Sequence, residues 1–134
     1  MKRRLILSLV VGLVLVSMLA LTGCPKSDND PDPLDVNGTW VITPVGDALM
    51  TAVLTHSGTA ITGTVTTIPE YATSISGFTA ASVGTTEPRD ITLIVGFNDG
   101  RTSTLTGTVG DDNDEMSGTY DDGQDSDDWT ATRQ

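Results

Sequence analysis

The sequence predicts an all-β protein: one antiparallel, eight-stranded up-and-down meander barrel behind an N-terminal signal peptide, with an open β-sandwich as the alternative. Three observations carry this. Beyond residue 37, short apolar or Thr-rich runs alternate with turn residues every 8 to 14 positions. The 134 residues include 22 Thr and 14 Gly, a composition that suits half-solvated strands better than helices. A short pattern also recurs, as Ile61-Thr62-Gly63-Thr64-Val65, Leu105-Thr106-Gly107-Thr108-Val109 and Met116-Ser117-Gly118-Thr119-Tyr120. Strand side chains alternate, so the apolar residues and the central Gly share one face and the hydroxyls the other. A missing side chain on the inner face lets the strand bend or its neighbour approach, and a small closed barrel needs that curvature.

Residues 2–4 are Lys-Arg-Arg, and from Leu5 to Leu21 the chain is apolar apart from Ser8, Gly12 and Ser17, ending in Leu21-Thr22-Gly23-Cys24. A charged start before an apolar segment is the pattern of an export signal. The ending resembles the lipobox of bacterial lipoproteins, which implies cleavage between Gly23 and Cys24 and lipidation of Cys24. The expected organisation is therefore a signal peptide over 1–23, a lipidated Cys with a disordered acidic spacer over 24–36, and a barrel over 37–134. One acyl chain binds a bilayer marginally, whereas two or three hold it firmly. The resemblance implies several chains, hence an exported domain tethered to the bacterial cell envelope; Pro25 after the Cys implies the outer membrane in a Gram-negative host.

Residues 25–35 hold three Pro, four Asp and a single large apolar side chain, Leu34, too little to offset the entropy of ordering, so a disordered spacer is expected. Eight strand-like runs follow at 38–43, 48–55, 59–66, 73–80, 89–96, 102–109, 115–120 and 128–133. Most connections are short enough to join neighbouring strands.

The first run opens with Gly38-Thr39-Trp40 and the last ends with Arg133. This resembles the Gly-x-Trp element of lipocalins and avidin-like proteins, in which an Arg of the last strand packs on that Trp. In an eight-stranded meander the first strand begins and the last ends at one rim, so Gly38, Trp40 and Arg133 are expected to close the barrel there. Aligned on avidin-like proteins, the polar biotin contacts fall on Ile42, Gly46, Val65 and Thr67, of which only Thr67 is polar. The resemblance extends to architecture and not to biotin.

The opposite rim is then the mouth, facing away from the membrane, with Asp47, Glu70, Tyr71, Asn98, Asp99, Asp121, Asp122, Asp125 and Asp127 around the single cation Arg101. Such a rim favours a cationic or polar ligand or a basic partner, unless its acidity merely serves solubility. Asp121, Asp125 and Asp127 are the weak metal candidates, in an order that does not fit an EF-hand loop. No cofactor is expected.

The net charge of -11 becomes about -14 once the three basic leader residues are removed, which excludes a nucleic-acid partner. One Cys excludes an internal disulfide and a Cys-rich zinc site. The only His, His56, sits beside Ser57 in an expected turn, where a solvated ring is the ordinary outcome and no triad forms. The expectation is a non-catalytic binding or interaction domain, monomeric, with an unknown small molecule or envelope protein as partner. A lipocalin-like carrier holding a ligand among Trp40, Ile42, Val53, Leu93, Leu105 and Trp129 is the first alternative. A protease-inhibitor-like or calcium-dependent interaction module is the second. Interior volume separates carrier from interaction protein.

Overall fold

The computed structural model describes residues 30–44, 49–68 and 72–134. The export signal, Gly23 and Cys24 lie outside these residues, as do Asp47, Glu70 and Tyr71.

Eight strands follow in chain order: β1 (Gly38–Pro44), β2 (Leu49–Ser57), β3 (Ala60–Ile68), β4 (Ala72–Thr79), β5 (Asp90–Phe97), β6 (Thr102–Val109), β7 (Glu115–Asp121) and β8 (Ser126–Arg133). Each pairs antiparallel with its sequence neighbour, and β1 pairs with β8, so the meander closes into a barrel. A sandwich is excluded, and the architecture is compatible with a lipocalin-like or avidin-like barrel. The ladders differ in length: β2–β3 runs over nine residue pairs, whereas β3–β4 pairs only Ala60–Gly63 with Phe78–Ile75.

Alternation decides what fills the middle. On β2 every second residue, Met50 through His56, points inward, and β5 and β6 contribute Leu93, Val95 and Leu105 in the same way. Val53 is the exception to the sequence expectation. It lies on the outer face, half exposed, because pairing Ala52 with Trp40 commits the even-numbered residues of β2 to the core.

The repeated Gly positions work as the pattern implies. Gly107 and Gly118 face each other across β6 and β7. A methyl group added at Gly118 would fall on the Thr106 carbonyl oxygen and the Gly107 Cα, so the close approach of these strands requires glycine. The space above the pair is taken by Trp129, which is the partner of Gly118 on β8. Its indole N–H reaches over β7 and donates to the Thr106 carbonyl at 3.1 Å. An indole buried in this way needs a partner for its N–H, and the pinched strands supply one.

At the rim where β1 begins, Trp40 pairs with Arg133, whose guanidinium lies 5.0 Å from the centre of the indole ring. Stacking of this kind contributes about 0.5–2 kcal/mol.

The largest departure from expectation lies just before β1. Residues 31–36, read as the end of a disordered spacer, belong to the same compact unit as the barrel, which spans Pro31–Gln134. They form a strap across the sealed rim, and Leu34 and Val36 are fully buried. Leu34 donates its N–H to Thr85 and accepts from Gly84, while Trp40 Nε1 donates to the Val36 carbonyl at 3.0 Å. Arg89 ties the strap down from the side. It is 6% exposed and donates to the carbonyls of Asp32, Val109 and Gly110 and to Asn113 Oδ1. Asn113, at a φ of 57°, returns a hydrogen bond to the Pro33 carbonyl, and Arg133 donates to that of Asp35. Prolines and aspartates make a poor core by composition, but two apolar side chains and a largely hydrogen-bonded backbone suffice when the barrel end supplies the complement.

Candidate functional site

The mouth forms where β5 turns into β6 and β7 into β8. In the first turn Phe97 and Arg101 exchange backbone contact, with Phe97 N–H donating to the Arg101 carbonyl at 3.0 Å. Asp99 closes the turn by accepting the Arg101 backbone N–H at 3.0 Å and its Nε–H at 2.7 Å. These two donors, the backbone first and the guanidinium second, hold the Asp99 carboxyl below its usual range, and the carboxylate in turn raises the Arg101 guanidinium.

In the second turn Asp122 Oδ1 accepts the N–H groups of Gln124 and Asp125, and Asp121 Oδ1 accepts that of Gly123. The Asp122 carboxyl is lowered by these backbone donors and, to a smaller degree, by Arg101. Asp127 is used in the same local way, accepting the N–H of Asp128 at 2.9 Å. The weak metal candidates Asp121, Asp125 and Asp127 are therefore not gathered around a point. Among the described residues no group of three or more His, Cys, Asp or Glu side chains is arranged to hold a metal ion.

Between the turns lies a hollow of about 90 Å³ lined by Phe97, Arg101, Thr102, Ser103, Tyr120 and Asp122. A second, of about 250 Å³, opens beside Phe97, Asn98, Asp99 and Arg101. Ser103 is buried and donates to the Tyr120 hydroxyl at 3.1 Å, which leaves the phenol proton available to a guest. Of the expected mouth residues, the structure brings Asn98, Asp99, Arg101 and Asp122 to these hollows and leaves Asp125 exposed on the neighbouring turn. Phe97, Ser103 and Tyr120, which sequence reasoning did not single out, form the floor. Their signal was available: they are the inward positions of strand ends adjoining acidic turns.

The hollows do not continue downward. Trp40, Ile42, Leu93, Val95 and Leu105 are each 0% exposed, so no space large enough for a water molecule adjoins them. The barrel centre is packed with side chains.

Acidity does not distinguish the mouth. Its described carboxylates are Asp99, Asp121, Asp122, Asp125 and Asp127, with Arg101 among them. The sealed rim carries Asp32, Asp35, Glu87, Asp90, Asp111, Asp112, Asp114 and Glu115 around Arg89 and Arg133. The mouth is acidic as expected, but so is the sealed rim, and both ends repel anions.

His56 is corrected too. It is not a solvated turn residue but the last inward side chain of β2, 5% exposed, because the turn begins only at Gly58. Its Nε2 lies 2.9 Å from Thr79 Oγ1, and that hydroxyl is itself buried and donates to the Ala81 carbonyl at 2.6 Å.

Comparison of the chain with protein-family models, with curated proteins and with solved structures finds no match.

Proposed function

We propose that this protein is an exported bacterial lipoprotein, held to the cell envelope through lipid on Cys24, whose barrel is a non-catalytic binding domain working from its rim and outer surface. In a Gram-negative host its address is the outer membrane. The observation that carries the surface reading is the filled interior: five large side chains at 0% exposure occupy the volume in which a lipocalin-like carrier would hold its cargo. One surface open to recognition is the shallow mouth, with Phe97, Ser103 and Tyr120 as its floor and charged groups at the edge. A hollow of about 90 Å³ admits one functional group of a partner rather than a whole ligand of drug size. The non-catalytic reading is supported by the burial of the only His and by the backbone hydrogen bonds that occupy the mouth carboxylates of Asp121 and Asp122.

Two measurements test this. Mass spectrometry of protein extracted from membranes should find Cys24 as the acylated N-terminus, and a free thiol there overturns the anchor. Titration with a fluorescent fatty acid should give no saturable binding; a one-to-one complex at micromolar concentration that quenches Trp40 overturns the surface reading in favour of a carrier.

A further inference from the structure

His56 lies at the sealed end, where the strap crosses the barrel, and its ring is almost wholly enclosed. The hydrogen-bond pattern fixes its tautomer. Thr79 Oγ1 has one proton and gives it to the Ala81 carbonyl at 2.6 Å, so toward His56 it acts as acceptor and Nε2 carries the imidazole hydrogen. Nδ1 then bears the lone pair, and it is buried with no hydrogen-bond partner among the protein atoms. A second proton would arrive at Nδ1, in a place that shields the resulting cation from water, a cost that the nearby Gly58 backbone only partly offsets.

The strap bears directly on this ring. Asn37 Oδ1 accepts the His56 backbone N–H at 2.8 Å, and Asn37 is held in position by Asp35, whose Oδ1 accepts both its backbone N–H at 2.8 Å and its side-chain amide at 2.6 Å. Asp35 is also the charged group that acts on the imidazole. The turn 58–59 and residues 79–83, which close over the same end, contain no ionisable side chain. Burial pushes the His56 ring below its ordinary value, and the opposing pulls of Asp35 and the Gly58 backbone are smaller.

We propose that protonation of His56 in mildly acidic surroundings loosens the strap of residues 31–37 from the sealed end of the barrel. An imidazolium gains water when the strap lifts. It also draws the Asp35 carboxylate away from Asn37 and so undoes the turn that seats Asn37 on β2. In a chain anchored at Cys24, which rests on the function proposed above, the released segment would extend the tether by up to about 25 Å. Acid would thus set how far from the membrane the barrel can reach.

Linkage bounds the size of the effect. A single proton changes an opening equilibrium by at most tenfold per pH unit. With an ordinary histidine value near 6.5 in the open state, the bound at pH 5.0 is about thirtyfold.

Hydrogen exchange on the mature protein, converted to protection factors, tests this at pH 7.5 and 5.0. The Leu34 and Gly84 amides, which tie the strap to the link 83–86, should lose several-fold and at most about thirtyfold protection, while amides of β5 and β6 keep theirs. His56→Gln should abolish the response. Unchanged strap protection, equal loss throughout the barrel, or the same loss in H56Q each overturns the proposal. Should H56Q not fold, NMR titration of the unaltered protein decides: the Trp40 indole N–H, bonded to Val36 on the strap, must shift with the same midpoint as the His56 ring, and unrelated midpoints overturn it. Strap exchange is read whether or not Cys24 is acylated, so failure of the anchor and failure of the switch are distinguishable.

Discussion

Leu34→Ala asks whether the strap is part of the core. Leu34 is 0% exposed and packs in the same apolar cluster as Val36 and Ala81. Replacing a fully buried Leu by Ala costs about 2–5 kcal/mol, the lower figures belonging to sites that can collapse. A strap at the barrel end can move inward, so the expected cost is about 2–3 kcal/mol. The compact unit Pro31–Gln134 has 104 residues, and at about 2.1 cal/mol/K per residue its unfolding entropy is about 0.22 kcal/mol/K. The melting temperature should therefore fall by about 9–14 °C. Val53→Ala supplies the reference, since that side chain is 50% exposed on the outer wall and its loss should cost about 0.5 kcal/mol, or near 2 °C. Calorimetry on the two variants checks this. A Leu34→Ala shift no larger than that of Val53→Ala would show residues 31–36 to be a spacer after all and refute the packing argument.

Further outcomes follow from particular contacts. Arg89→Met leaves the carbonyls of Asp32, Val109 and Gly110 and the Asn113 amide without their donor, and should cost about 3–5 kcal/mol by urea titration. Arg89→Lys should recover little, because an ammonium cannot span the same fork; full recovery would mean that charge alone matters. Gly118→Ala forces β7 away from β6 and should cost about 3 kcal/mol. It should also red-shift Trp129 emission as its bond to Thr106 is disturbed, and unchanged emission counts against the pinch. The His56 ring, lowered in the folded state, binds its proton more readily when unfolded. Stability should be level above pH 6.5 and decline below it, by at most about 1.4 kcal/mol per pH unit until the folded ring itself titrates. Thermal midpoints across pH 5 to 8 for wild type and H56Q should diverge only on the acid side. Arg101→Ala should raise the Asp99 pKa by NMR titration without restoring its ordinary value, since the backbone N–H at position 101, the larger cause, survives; complete restoration would assign the shift to the guanidinium.

What was legible in the sequence was local. Alternation along 105–109 and 116–120 places Leu105, Val109 and Met116 inside, and strand periodicity requires nothing beyond nearest neighbours. Closure through Trp40 and Arg133 followed from counting strands, because an even number returns the chain to the rim it left. The strap was not legible. Its burial depends on Thr85, Arg89 and Asn113, about 50 to 80 residues away in the chain. Leu34 and Val36 do stand two apart and in step with the inward positions of β1, a signal that the surrounding Pro and Asp outweighed. Val53 failed for a related reason. Met50, Ala52, Val53 and Leu54 offer apolar residues to both faces, and only pairing with Trp40 chooses between them. At the mouth, charge was legible but its allocation was not, since the turns consume carboxylates that looked free for a ligand.

The short ladder between β3 and β4 shifts the holding of the wall onto its neighbours. Four residue pairs hold that seam, against nine on one side of it and seven on the other. Among the described residues that ladder is confined to the sealed end, at Ala60–Gly63, so toward the mouth this part of the wall is carried by the β2–β3 and β4–β5 ladders on either side of it.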